Sequence, residues 1–237
     1  MIEKILPAAV MSAEKFVDSS DSLLFPEEEA LVARAVDKRR REFATGRSCA
    51  RSALAALGFP PTPILTGERG APVWPSGIVG SITHCAGYRA AAVAPACNVL
   101  TIGLDAEPDS ELPDGVLEMV SLPGERALLR DLAVTAPGTS WDRLLFSAKE
   151  SVYKAWFPLT HRWLGFEEAD ITINPAGGTF DAQLLAETSS SADTTRLTGF
   201  TGRWLVSDGL ILTAVVVPGL SSPRGQGAVP GVQIAKD

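Results

Sequence analysis

The sequence predicts an α+β protein made of two similar halves in one chain. Three observations carry that expectation. A long helical pattern is followed by short strand-like runs, and the same order then recurs. A Pro/Asp-rich stretch, residues 107–114, falls between the two sets. The 237 residues suffice for one full core or for two closely packed ones. The expected halves are residues 1–104 and 105–220, and the Gly/Pro/Ser-rich tail, 221–237, is expected to be disordered.

Residues 27–57 read as one long helix, rich in Ala, Leu, Glu and Arg and ended by Gly58-Phe59-Pro60-Pro61. The passage Gly67-Glu68-Arg69-Gly70-Ala71-Pro72 reads as a turn. Strand-like runs follow at 78–83, 89–93 and 100–106. A second helix spans about Ser140 to Phe157, with Pro158 as its stop. Further strands read at 169–173, 179–185, 197–206 and 210–217, the last two flanking the hairpin turn Ser207-Asp208-Gly209.

Composition narrows the function. No apolar run approaches the roughly 18–20 residues that span a bilayer, and Glu3, Lys4, Glu14 and Lys15 make a poor signal peptide of the N-terminus. The expectation is a cytoplasmic protein with no membrane association. Three cysteines without C-x-x-C spacing argue against a disulfide framework, and two histidines argue against a zinc centre. A net charge of −7 disfavours nucleic acid, though not a local cationic pocket.

The first helix supplies such cations. At about 100° per residue, Phe43, Ala50, Leu54 and Leu57 share a stripe that contains Arg39 and has Arg47 and Arg51 along its edge. Cations beside an apolar face need a partner, either a phosphate or acids from elsewhere in the chain. In the strand around Thr101-Ile102-Gly103-Leu104-Asp105-Ala106-Glu107, alternation sends Ile102, Leu104 and Ala106 to one face and Asp105 with Glu107 to the other. The two acids are either surface groups or a hard-oxygen platform of the kind Mg²⁺ takes. On the second helix Trp141, Leu144, Leu145, Ala148, Val152, Ala155 and Trp156 form the apolar stripe, while Glu150 points away with Lys154 and Arg143 nearby. Glu150 and Lys154 fit a surface i,i+4 bridge or a proton acceptor beside an anion-binding cation.

Five segments in order resemble the surfactin-type and enterobactin-type 4′-phosphopantetheinyl transferases. They are Lys38–Phe43, Gly67–Pro75, Gly80–Cys85, Gly103–Glu107 and Phe146–Trp156, and the resemblance runs from about Phe25 to Val217. It implies two similar α+β halves with coenzyme A in the cleft between them. It also implies transfer of the phosphopantetheine arm to a serine of apo acyl-carrier or peptidyl-carrier proteins. By match to the family motifs, Asp105, Glu107 and the carbonyl of Ala106 ligate Mg²⁺, with Glu150 as a third ligand or as the base. Arg39 and Arg47 hold phosphates, and Arg69, Gly70, Ala71 and Pro72 form the turn that meets the nucleotide. Thr83 and His84 contact phosphate, and Lys154 neutralises the pyrophosphate with Lys149 in support. Phe146, Tyr153 and Trp163 either line the pantetheine arm or pack locally. Arg162 and Trp163 are candidates for the carrier-protein surface. The chain is about twice as long as the short relatives that build the cleft between subunits, which favours a monomer.

Two rivals stand beside this reading. Another Mg²⁺-dependent nucleotide transferase would lack the P-loop, whose G-x-x-x-x-G-K-[ST] signature is missing. A coenzyme A-binding subunit without chemistry would have no need of Asp105, Glu107 and Glu150 together.

Overall fold

The computed structural model describes residues 1–18, 22–185, 196–219 and 232–235. Its helices are α1 (Pro26–Leu31), α2 (Asp37–Ala56), α3 (Val116–Val120), α4 (Pro123–Thr135) and α5 (Trp141–Thr160). Its strands are β1 (Met11–Lys15), β2 (Ile78–Cys85), β3 (Tyr88–Pro95), β4 (Val99–Pro108), β5 (Ala169–Asn174), β6 (Thr179–Leu184), β7 (Arg196–Ser207), β8 (Leu210–Pro218) and β9 (Val232–Ala235). Two antiparallel sheets result, β1-β3-β2 and β4-β8-β7-β6-β5, with β9 also pairing β7. Each sheet carries one long helix, so the α+β architecture in two halves is as expected.

Alternation on β3 joins the halves. Ala91 and Val93 face α2, where Cys49, Ala50, Ala53 and Leu54 cover them. Tyr88, Ala90, Ala92 and Ala94 face the other way, against Ile102, Leu104 and Ala106 of β4 and Leu212 of β8. Small alanines on both faces let a central strand lie between two layers at close range. The third core packs Leu144, Leu145, Ala148, Val152 and Trp156 of α5 on Ile171, Phe180, Phe200 and Val215 of the second sheet. Between the sheets the backbone N–H of Leu104 donates to Ser81 Oγ at 3.0 Å, so β2 and β4 lie edge to edge.

Four expectations are corrected. The single helix over 27–57 is two, because the wholly buried Glu28 accepts from Arg51 at 2.8 Å and from Ile64 N at 2.9 Å. An unbroken helix would hold residues 28 and 51 about 35 Å apart, so α1 folds back to bring them together. Pro158 stays inside the last turn of α5, which ends instead at His161 in the left-handed region (φ 53°), its N–H on Phe157 O. The boundary expected between residues 104 and 105 falls inside β4, which belongs whole to the second sheet. In the tail, Val232–Ala235 forms β9 against Arg196–Phe200, since Val232-Gln233-Ile234 alternates as a strand does; the rest of 221–237 lies outside the described residues. Among the described residues no helix is long and apolar enough to cross a membrane.

Candidate active site

A cleft of about 570 Å³ opens between the halves. The turn 67–74 and strand β2 form one wall; Thr101 and the α5 residues Glu150, Tyr153, Lys154 and Phe157 form the other. The turn is tight: Gly67 N–H donates to Ala71 O at 2.7 Å, and Arg69 and Gly70 both take positive φ (51° and 82°). Gly70 adopts this freely, whereas Arg69 does so at some cost. The Arg69 guanidinium lies 5.4 Å from the centroid of the Trp163 ring, so a cation–π contact crosses the mouth from one half to the other.

The opposite wall is set by how closely α5 lies on β4. Thr101, Gly103, Asp105 and Glu107 share a face of β4 by alternation. Gly103 sits directly beneath the helix, where an added Cβ would stand 2.7 Å from Ala155 N and closer still to Ser151 O. Thr101 Oγ1 donates to Ala155 O at 2.9 Å, and Thr213 Oγ1 on β8 donates to Ser147 O at the same distance. This close approach lets Lys154 Nζ reach Asp105 Oδ1 at 2.7 Å and Leu104 O at 3.0 Å. Glu150, one turn earlier, is half-buried; burial raises its carboxyl pKa, Lys154 opposes the shift and Asp105 adds to it. Burial and then Asp105 likewise raise Glu107, against the pull of Arg143, whose Nη1 donates to Glu107 Oε2 at 3.0 Å.

The cations of the first half divide into two kinds. Exposed Arg39 places Nη1 2.8 Å from His84 Nε2; arginine only donates, so Nε2 accepts and the imidazole carries its proton on Nδ1. Desolvation and then Arg39 lower the His84 pKa, which keeps the ring neutral. Buried Arg47 instead donates from Nε to Ile64 O at 2.7 Å and from Nη2 to Thr66 Oγ1 at 3.1 Å. Its guanidinium lies 4.2 Å from the Phe43 ring centroid, and burial lowers its pKa to about 10. Nη1 and the second N–H of Nη2 are left for a ligand. Thr83 is buried and donates from Oγ1 toward Asp105 Oδ1 at 3.5 Å, so it meets the carboxylate.

Comparison with known proteins gives the family. The 4′-phosphopantetheinyl transferase N-terminal domain matches residues 27–94, and the 4′-phosphopantetheinyl transferase superfamily matches residues 101–207. The chain is 54% identical over 228 residues to the 4′-phosphopantetheinyl transferase Svp of Streptomyces mobaraensis, covering 95% of this chain and 91% of that one. It is 54% identical over 222 residues to Npt of Nocardia iowensis (91% and 99% covered). To PptT of Mycobacterium tuberculosis it is 50% identical over 226 residues (92% and 98% covered). The chain belongs to the 4′-phosphopantetheinyl transferase family. It is a transferase of the kind that uses coenzyme A and acts on carrier proteins.

Asp105 and Glu107 of β4 are the residues present that could hold a divalent ion. Among the described residues no three His, Cys, Asp or Glu side chains stand close enough to hold one ion together, so the three-carboxylate set is not assembled. Arg143 has taken Glu107, and Lys154 has taken one oxygen of Asp105. The donors nevertheless fit a hard cation. Asp105 Oδ2 is buried without a hydrogen-bond partner, and a buried carboxylate oxygen left so is costly. Leu104 turns its N–H to Ser81 and its carbonyl to Lys154, off the β8 side of the strand; by parity the Ala106 carbonyl points off that edge too.

Lys149 is not brought to the cleft, and its phosphate role is corrected. Its ammonium is buried, 2.8 Å from Glu125 Oε2 on α4. Three residues that shape the site were not singled out for it: Ser81 at the seam, Arg143 on Glu107, and Glu125. The Pro123-Gly124-Glu125 pattern of a helix first turn, with an acid three residues after the cap, was the available signal for Glu125. Phe146 packs on Phe166 with ring centroids 5.9 Å apart, and Tyr153 packs on Trp163 at 5.0 Å.

Proposed function

We propose that this phosphopantetheinyl transferase uses Mg²⁺ to move the 4′-phosphopantetheine of coenzyme A onto a serine of apo acyl- or peptidyl-carrier proteins, releasing adenosine 3′,5′-bisphosphate. One observation carries this: Glu150 and Lys154, a single turn apart on α5, both line a cleft walled by both halves, and Lys154 reaches Asp105 of β4 at 2.7 Å. The proposed setting is the cytoplasm and the proposed working unit a monomer.

Glu150, its pKa raised, accepts the proton of the carrier serine as the serine oxygen attacks the β-phosphorus of coenzyme A. The bond from that phosphorus to the oxygen bridging to the α-phosphate breaks, and the bisphosphate leaves with the electron pair. Lys154 offsets charge on the leaving group, with Arg39 and the Nδ1–H of His84 as further donors. Asp105, Glu107 and the Ala106 carbonyl would hold Mg²⁺, which supplies charge neutralisation at the diphosphate. Positioned donors account for most of the acceleration in phosphoryl transfer, and a positioned base adds about 10²–10⁴-fold. The turn at Arg69–Pro72 fits the nucleotide end of the ligand. Arg162 and exposed Trp163 remain the proposed carrier-facing surface.

The test is mass spectrometry of an apo carrier protein incubated with this chain, coenzyme A and Mg²⁺. A gain of one phosphopantetheine on serine is expected. Coenzyme A binding with an unmodified carrier would favour a binding subunit and overturn the reading.

A further inference from the structure

We infer that the buried Glu125–Lys149 ion pair is a positioning device for the reacting turn of α5, acting through Glu150 and never on the substrate. Every polar atom of the pair is engaged within the fold. Lys149 Nζ donates to Glu125 Oε2 at 2.8 Å, to Phe166 O at 2.7 Å and to Ala169 O at 2.9 Å, which uses its three protons. Glu125 Oε1 accepts from Ile171 N at 2.8 Å, and Oε2 accepts from Leu122 N at 2.6 Å. The side chains are 2% and 0% exposed, so a lysine leaving for the cleft would strand a buried carboxylate.

The partners show what is held. β5 is the outer strand of its sheet, with β6 on its other side. The groups on its open edge, Ala169 C=O and Ile171 N–H, are satisfied by Lys149 and Glu125 in place of a further strand. The pair therefore fixes the first turn of α4, the middle of α5, the edge of β5 and the 3₁₀ turn at Phe166 to one another. The next residue along α5 is Glu150. Beside it lies a small cavity of about 100 Å³, walled by Lys149, Glu150, Tyr153, Phe166 and Ala169. Glu150 and Tyr153 line both this cavity and the main cleft. Loosening the pair moves the wall that presents the Glu150 carboxylate. Glu125 itself lines neither space, so an effect of Glu125 on turnover must travel through Lys149 and α5.

The inference rests on the transfer reaction proposed above, and two experiments separate its failure from a failure of that reaction. Glu125→Gln, Lys149→Gln and the double variant are assayed for loading of an apo carrier, well below their melting temperatures. Each single change should lower kcat about 10- to 100-fold, as misplacement of a reacting group by about 1 Å does, with KM for coenzyme A near wild type. The double variant should be no worse than the weaker single, because both break one unit. Wild-type kcat in Glu125→Gln, together with a raised KM for coenzyme A in Lys149→Gln, would overturn the inference. The second experiment needs neither variants nor turnover. Amines of the wild-type chain are acetylated with an N-hydroxysuccinimide ester, with and without coenzyme A, and mapped by mass spectrometry. Lys149 should stay unmodified in both samples while Lys154 is modified and then protected. Modification of Lys149 in the free protein with protection by coenzyme A sinks the proposal.

Discussion

Gly103→Ala tests whether the closeness of α5 to β4 makes the site. A methyl group at this position would stand 2.7 Å from Ala155 N and nearer still to the Ser151 carbonyl oxygen. A carbon–oxygen contact needs about 3.3 Å, and both obstacles are helix backbone, so no side chain can swing aside. Helix and strand must part by about 1 Å. Overpacking of this kind costs about 1–3 kcal/mol, and stretching the buried Thr101–Ala155 hydrogen bond costs about 1 more. A total near 3 kcal/mol corresponds to a melting temperature lower by about 6–12 °C in a chain of this size. The same displacement lengthens the 2.7 Å bond from Lys154 to Asp105 beyond hydrogen-bonding range. Turnover should therefore fall by about 10²-fold in the folded variant. Thermal unfolding by circular dichroism gives the first quantity and single-turnover carrier loading the second. A variant with wild-type melting and wild-type loading would refute the account of the wall.

Glu150→Gln should retain the wild-type melting temperature and Mg²⁺ dependence while loading falls about 10²–10⁴-fold; a parallel loss of Mg²⁺ affinity, read by titration calorimetry, would assign the residue to the metal instead. Asp105→Asn should raise the Mg²⁺ concentration needed for half-maximal loading, and excess EDTA should abolish loading by the wild type until Mg²⁺ is restored. Cys49 is wholly buried and burial raises its thiol pKa from 9.0 to about 11. The folded state thus holds the proton more tightly than the unfolded state, so this stability is present below pH 9 and lost as pH rises through 11. That raised pKa is worth about 3 kcal/mol, and urea titrations should show a flatter alkaline limb in Cys49→Ala than in the wild type.

The strands were legible because their signals are local. Alternation in 100–106 and the strand-length apolar run of 210–217, with Asp208 and Gly209 both at positive φ between β7 and β8 (54° and 73°), mark these strands within a few residues. The even residues of β4 enter the core between the sheets and the odd ones meet α5, as the pattern requires. Long-range demands were not legible. The break between α1 and α2 has no Gly or Pro to announce it; it exists because Glu28 must reach Arg51 and Ile64 N. Strand β9 was hidden by a composition rich in Gly and Pro, and strand β1 by its short, half-exposed run. The ion pairs of the two β4 acids were not legible for a similar reason, since Arg143 and Lys154 reach Glu107 and Asp105 from another element.

The different fates of two lysines on one helix follow from rotation alone. At about 100° per residue, Glu150 and Lys154 differ by about 40° and share a face, which the fold turns to the cleft. Lys149 and Lys154 differ by about 140°, so no straight helix can aim both at one diphosphate. Ala148, Val152 and Ala155 fill the arc toward the sheet, and that leaves Lys149 facing α4 and β5, where only a buried carboxylate makes its charge tolerable. The run Lys149-Glu150-Ser151-Val152-Tyr153-Lys154 therefore encodes two separate tasks at a spacing that looks like one. One cation is tied into the scaffold by Glu125, and the other, four residues from the acid, lines the cleft beside it.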